Sequence, residues 1–112
     1  MTVQDLLDCL ALYTANLDVC VQIDGGDFDY DLTIEEYPAE TPTEARISAN
    51  GDTSKSSVSD VITDLEALTA NLPVVAQVNG SQWGDVVGAQ EIPDGAETDV
   101  LITAFYEAPD PE

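Results

Sequence analysis

The sequence predicts an α+β domain made of two αβββ units, and three observations carry that expectation: a 55-residue self-similarity, an apolar stripe at helical spacing opening each copy, and β-branched or alternating runs closed by turn residues after it. Shifting the chain against itself by 55 positions pairs residues 2–51 with 57–106 without a gap, and 15 of the 50 pairs are identical. Val3, Asp5 and Leu10 recur as Val58, Asp60 and Leu65, Thr14-Ala15-Asn16-Leu17 recurs as Thr69-Ala70-Asn71-Leu72, and Gln22, Gly25, Pro38 and Ile47 recur as Gln77, Gly80, Pro93 and Ile102. Turn and core positions that recur together mark a repeated supersecondary unit. A unit this small buries too little surface to be comfortable alone, so the two are expected to share one core in a single domain over 1–106.

Each unit starts with a helix. Thr2 and Ser57 stand three residues before Asp5 and Asp60, which suits a hydroxyl cap with an acid at the positive end of the helix dipole. Val3, Leu6, Leu7, Leu10 and Tyr13 fall on one stripe, as do Val58, Val61, Ile62, Leu65 and Leu68. Asn16 and Asn71 are candidate helix ends. The runs Leu17–Ile23 and Leu72–Val78 read as first strands, closed by the hairpin-type turn signals Asp24-Gly25-Gly26 and Asn79-Gly80-Ser81. Second strands are expected from Phe28 or Trp83 to the residue before Pro38 or Pro93. Third strands cover about Thr43–Ala49 and Thr98–Tyr106. Antiparallel meanders, forming one six-stranded sheet or two abutting sheets with both helices on one face, complete the expected architecture. Residues 51–56 read as a linker, and residues 107–112 as a loosely held acidic tail.

Composition excludes more than it identifies. With 23 Asp and Glu against one Lys and one Arg, the formal net charge is −21. Phosphate binding rests on Lys and Arg, so direct nucleic-acid binding is excluded, and an anionic membrane is an equally poor partner. The apolar runs fall far short of the roughly 20 residues a bilayer span needs, and no basic leader opens the chain, so a cytoplasmic protein is expected. There is no His, hence no Ser-His or Cys-His pair and no ordinary general base near neutral pH. Phosphate-cradling glycine loops and zinc signatures are missing too, and a glycosidase-like carboxylate pair lacks an aromatic sugar cleft. A non-enzymatic protein without a cofactor is the expectation. Cys9 and Cys20 read as reduced thiols, Cys20 as a small buried hydrophobe.

The most informative segment runs from Asp27 to Tyr37. Strict alternation puts Phe28, Tyr30, Leu32 and Ile34 on one face and Asp27, Asp29, Asp31, Thr33 and Glu35 on the other. On a continuous strand those carboxylates would form a row with neighbours about 6.5–7 Å apart. The second unit holds Gln82, Gly84 and Val86 in place of the three aspartates, so the fold does not require the row. Three readings compete: a solvated face, a calcium site drawing on Asp24, Asp27, Asp29 and Asp31, and recognition of a basic partner. An EF-hand counted from Asp27 meets Leu32 and Pro38 where Gly and Glu belong, and alternate strand carboxylates point in parallel rather than converging. The partner reading centres on Asp27, Asp29, Asp31, Glu35 and Glu36, with Asp5 and Asp8 extending the negative surface from the first helix. Leu12 lies opposite the apolar stripe, between Asp5 and Asp8, and is either an anchor for a partner or a lone exposed leucine. Trp83 and Phe28 occupy equivalent positions and are expected to pack in the core.

Two resemblances follow from these residues. The stretch Val58 to Val75, with its leucine-spaced helix and Asn-Leu-Pro-Val-Val, resembles the opening of many short phage and prophage proteins. In overall charge the chain is similar to small phage or plasmid inhibitors of host nucleases, restriction systems or CRISPR complexes that mimic DNA. That resemblance implies docking on the nucleic-acid-binding surface of a basic host protein. The acidity, low Lys and abundant Ala, Val and Thr also resemble proteins of extreme halophiles, where charge serves solubility in molar salt. The oligomeric state, a homodimer included, is left open.

Overall fold

The computed structural model describes residues 1–24, 26, 29–38, 40–51, 55–80, 83–94 and 97–105. Helix α1 spans Val3–Leu10 and α2 spans Val58–Glu66. Both begin with a complete capping box. The Thr2 hydroxyl accepts the Asp5 N–H while the Asp5 carboxylate accepts the Thr2 N–H, and Ser57 and Asp60 repeat the exchange. Each helix is shorter than the sequence suggests. The caps are Ala11 and Ala67, and tight turns follow, with Leu12, Tyr13 and Leu68 each donating three residues back, so Asn16 and Asn71 lie beyond the helices.

Seven strands follow: β1 (Asp18–Ile23), β2 (Leu32–Tyr37), β3 (Glu44–Ala49), β4 (Ser56–Ser57), β5 (Val74–Val78), β6 (Gly84–Asp94) and β7 (Glu97–Phe105). They form one mixed, open sheet in the order β2-β3-β5-β6-β7-β1-β4. The expected α+β class is observed, with two differences. The β2–β3 and β6–β7 pairs are antiparallel meanders, but β1 lies parallel to β7 and β3 parallel to β5. Ser56, expected in the linker, instead enters the sheet with Ser57 as a short edge strand against β1.

The two parallel pairs join the halves of the chain. Val19–Ile23 align with Val100–Ala104, and Ala45–Ala49 align with Val74–Val78. Helix starts also cross over: Val3 donates to the Leu72 carbonyl and Val58 to the Leu17 carbonyl, each at 2.9 Å. Val3, Leu6 and Leu10 of α1 and Val58, Val61 and Leu65 of α2 are buried in one core with Val19, Val21, Ile47, Val74, Val86 and Ile102. At about 25 cal/mol per Å² of apolar surface removed from water, that shared core is the main source of stability. Gly84 starts β6 where the Phe105 backbone passes so close that a Cβ would sit 2.8 Å from its carbonyl oxygen. Asp24 and Asn79 close β1 and β5 with φ of 51° and 53°, a conformation that Asp and Asn tolerate better than most residues.

Candidate acidic interface

Among the described residues, the carboxylates expected in the row do not line up. Strand β2 begins only at Leu32, because the chain changes partners just before it. Asp29 exchanges both backbone hydrogen bonds with Val21 of β1, whereas Tyr30 and Asp31 donate to the Gly51 carbonyl beyond β3. The alternation therefore does not run through 29–31 as one strand. Asp29 is only 7% exposed, and its Oδ2 accepts no hydrogen bond from the described residues. Asp31 is half-buried, and its carbonyl accepts the Asn50 N–H. Asp27 and Phe28 lie outside the described residues.

On β2 itself Glu35 is exposed and stands opposite Arg46 in the register. Glu36 is half-buried, and its carboxylate accepts the Thr69 N–H at 2.7 Å, tying the strand to the turn after α2. Of the carboxylates expected to meet a basic partner, Glu35 is thus exposed, Glu36 has an internal partner, Asp29 is buried and Asp31 half-buried, while Asp27 lies outside the described residues. Of the four aspartates of the calcium reading, Asp27 lies outside the described residues, and among the described residues no group of three or more acidic, Cys or His side chains is placed to hold a metal ion.

Both cations sit within the molecule's own contacts. Arg46 Nε donates to Glu44, and its guanidinium lies 3.5 Å from the Tyr37 ring centroid and 4.6 Å from that of Trp83. Such stacking holds a guanidinium by cation–π attraction as well as by packing. Trp83 is therefore half-buried on Arg46 instead of in the core. Lys55 Nζ lies 4.6 Å above the Tyr30 ring.

The helical layer is different. Asp5 and Asp8 on α1 are exposed, and so are Asp60, Asp64 and Glu66 on α2. Asp8 accepts from Gln4, and Asp5 and Asp60 serve the capping boxes while keeping their exposure. Hydrogen bonds from Thr2, backbone first and hydroxyl second, hold the Asp5 carboxyl below its ordinary value. Neither helix contains Lys or Arg. Between them runs an open groove of about 410 Å³ lined by Gln4, Leu7, Asp8, Ala11, Ile62 and Glu66, among others. Leu12, just past α1, is 81% exposed, and its counterpart Ala67 is exposed as well. Asp5, Asp8 and Leu12 are among the residues expected at an interface, whereas Asp60 is expected only as a cap and Asp64 and Glu66 are not expected there. Their signal was available: all three stand off the apolar stripe of Val58, Val61, Ile62 and Leu65.

Neither Cys9 nor Cys20 is in a disulfide, and the buried Cys20 thiol donates to the Val100 carbonyl oxygen at 3.7 Å. Among the described residues no helix is long and apolar enough to cross a membrane. No family model, curated protein or solved structure matches the chain.

Proposed function

We propose that the chain is a non-enzymatic acidic binding protein, phage- or virus-encoded, that acts in the host cytoplasm by docking on a Lys/Arg-lined nucleic-acid-binding surface of a host defence or DNA-handling protein. The observation that carries this reading is the helical layer, where Asp5, Asp8, Asp60, Asp64 and Glu66 are all exposed and neither helix holds a Lys or Arg. Carboxylates of α2 at positions 60 and 64 are about 6 Å apart along the helix axis, at 1.5 Å per residue. A fixed array of one sign suits long-range attraction to a basic channel, and that attraction weakens as salt screens it. Glu35 adds to the negative field from the sheet, and Leu12 supplies an apolar contact beside the acids of α1. The contact is thereby centred on the helices rather than on the strand before Tyr37.

Competition tests it. Labelled duplex DNA bound at low salt to a restriction endonuclease or CRISPR effector is expected to be displaced by the protein. Displacement should weaken steeply with added salt, and it should fall sharply in the variant Asp8→Asn/Asp64→Asn/Glu66→Gln. The proposal fails if no such protein releases its DNA, or if the neutralised variant competes as well as the parent.

A second reading, salt adaptation, draws on the spread of exposed acids beyond the helices, at Asp24, Glu35, Glu40, Asp85 and Glu91. It predicts a chain that loses its structure when salt is removed, since so many unscreened like charges repel one another. Circular dichroism showing a fully folded chain at low ionic strength counts against it.

A further inference from the structure

The backbone contacts between the two halves are related by exchange. Ala45 faces Val74 in the β3–β5 pair; move the first residue 55 positions on and the second 55 positions back, and the result is Val100 facing Val19 in the β7–β1 pair. The same operation converts every aligned pair of one parallel ladder into one of the other. It converts the Val3 to Leu72 hydrogen bond into Val58 to Leu17, and Gln4 to Ala70 into Ser59 to Ala15. It turns the Thr2–Pro73 bridge into the Ser57–Asp18 pair, and the Asn79 to Ala49 bond into Asp24 to Ala104. Buried side chains follow suit, with Leu10, Ile47 and Ala49 matched by Leu65, Ile102 and Ala104.

A contact made of equivalent patches, each receiving what it gives, has the form of an isologous two-fold interface. Here it lies inside one chain. Every ladder that crosses between halves is therefore one that another copy of the same half-surface can complete. The connection is short: the Gly51 carbonyl accepts the Tyr30 N–H at 2.7 Å, Lys55 Nζ lies over the same Tyr30 ring, and residues 52–54 join the two. We propose that the surface each half presents to the other also binds a second copy of this chain, so that the protein forms a dimer by exchanging halves when chains refold together at high concentration or when the connection between the halves is shortened.

A crosslink in the register reads this directly. Cys20 of β1 aligns with Leu101 of β7, so Leu101→Cys places two thiols side by side across the exchanged contact. In the full-length chain carrying Cys9→Ser and Leu101→Cys, oxidised glutathione is expected to yield a monomer band on a non-reducing gel. With Asp52, Thr53 and Ser54 also deleted, the same treatment is expected to give a discrete dimer band, with an unchanged far-UV spectrum and twice the mass in light scattering. A second measurement refolds equal amounts of unlabelled and ¹⁵N-labelled parent chain together at high concentration. Native mass spectrometry should then find mixed dimers that do not exchange subunits without unfolding. The proposal is overturned if the deleted chain crosslinks only within itself, if it gives no discrete dimer and the parent also refolds only to monomer, or if dimers exchange freely while folded.

Discussion

The Tyr30 hydroxyl donates to a carboxylate oxygen of Asp99 at 2.6 Å, joining the segment before β2 to the start of β7. Asp99 is 1% exposed, so this bond supplies a donor to a charge-bearing group taken almost wholly out of water. Burial of such a group is costly unless it is hydrogen-bonded. Tyr30→Phe keeps the ring under Lys55 and removes only the donor. It is expected to cost about 1–3 kcal/mol in urea unfolding, the range for depriving a buried polar group of a partner. A loss within error of zero would show that the bond adds nothing net.

Core and surface leucines should separate cleanly. Leu10 and Leu65 are fully buried at equivalent places on the two helices, whereas Leu12 is 81% exposed. Leu10→Ala and Leu65→Ala are each expected to lose about 2–5 kcal/mol, the transfer and cavity cost of a buried leucine. Leu12→Ala should leave stability unchanged within about 0.5 kcal/mol. If Leu12→Ala instead lowers competition for DNA without moving the unfolding midpoint, its apolar contact belongs to the interface.

The contrast between these leucines was legible from spacing alone, as were both helix starts, because caps and stripes depend on residues three or four apart. The order of the sheet was not. Pairing of β1 with β7 and of β3 with β5 depends on contacts about 80 and 30 residues apart along the chain, which no local pattern encodes. The break in the expected acidic row was not legible for a related reason. Alternation from Phe28 to Ile34 implies one continuous strand, but Asp29 bonds β1 while Asp31 bonds Gly51 beyond β3, and a change of partner resets which face a side chain takes. A core place for Trp83 is expected from its equivalence with Phe28, but the stack with Arg46 that holds it half-buried joins residues 37 positions apart.

Two glycines of β6 make a matched pair for backbone packing. A Cβ at Gly84 would meet the Phe105 carbonyl oxygen at 2.8 Å and the Ile23 side chain at 3.1 Å, while one at Gly88 meets nothing within 4 Å. Gly88 follows the bulge in the β6–β7 ladder and leaves space on its open side. Gly84→Ala is expected to destabilise by about 1–3 kcal/mol, the usual cost of overpacking a closed site. Gly88→Ala should be neutral or slightly stabilising, since it removes freedom from the unfolded chain. Thermal melts of the two variants side by side give the answer, and equal melting temperatures would refute the close approach at Gly84.

Stability should depend on pH at both ends of the range, through different residues. Hydrogen bonds from Thr2 hold the Asp5 carboxyl below its ordinary value of 3.8. A lowered folded-state value means that the ionised form favours folding, so this contribution is present above about pH 4 and fades as pH falls through the folded value. At the alkaline end, burial, with smaller effects from Cys9 and Glu91, raises the Tyr13 hydroxyl above 10.0, while its proton is donated to the Ala89 carbonyl at 2.9 Å. A raised value favours the protonated form in the folded state, so this contribution is complete below pH 10 and is lost as pH rises through the folded value. Acidification also relieves repulsion among the many carboxylates, which pulls total stability the other way. The informative quantity is therefore the difference in urea midpoint between parent and variant, followed across pH. The gap between parent and Asp5→Asn should close below pH 4, and the gap between parent and Tyr13→Phe should close above pH 10. Gaps that stay constant would remove the Thr2 hydrogen bonds and the burial of the Tyr13 hydroxyl as the origins of the two shifts.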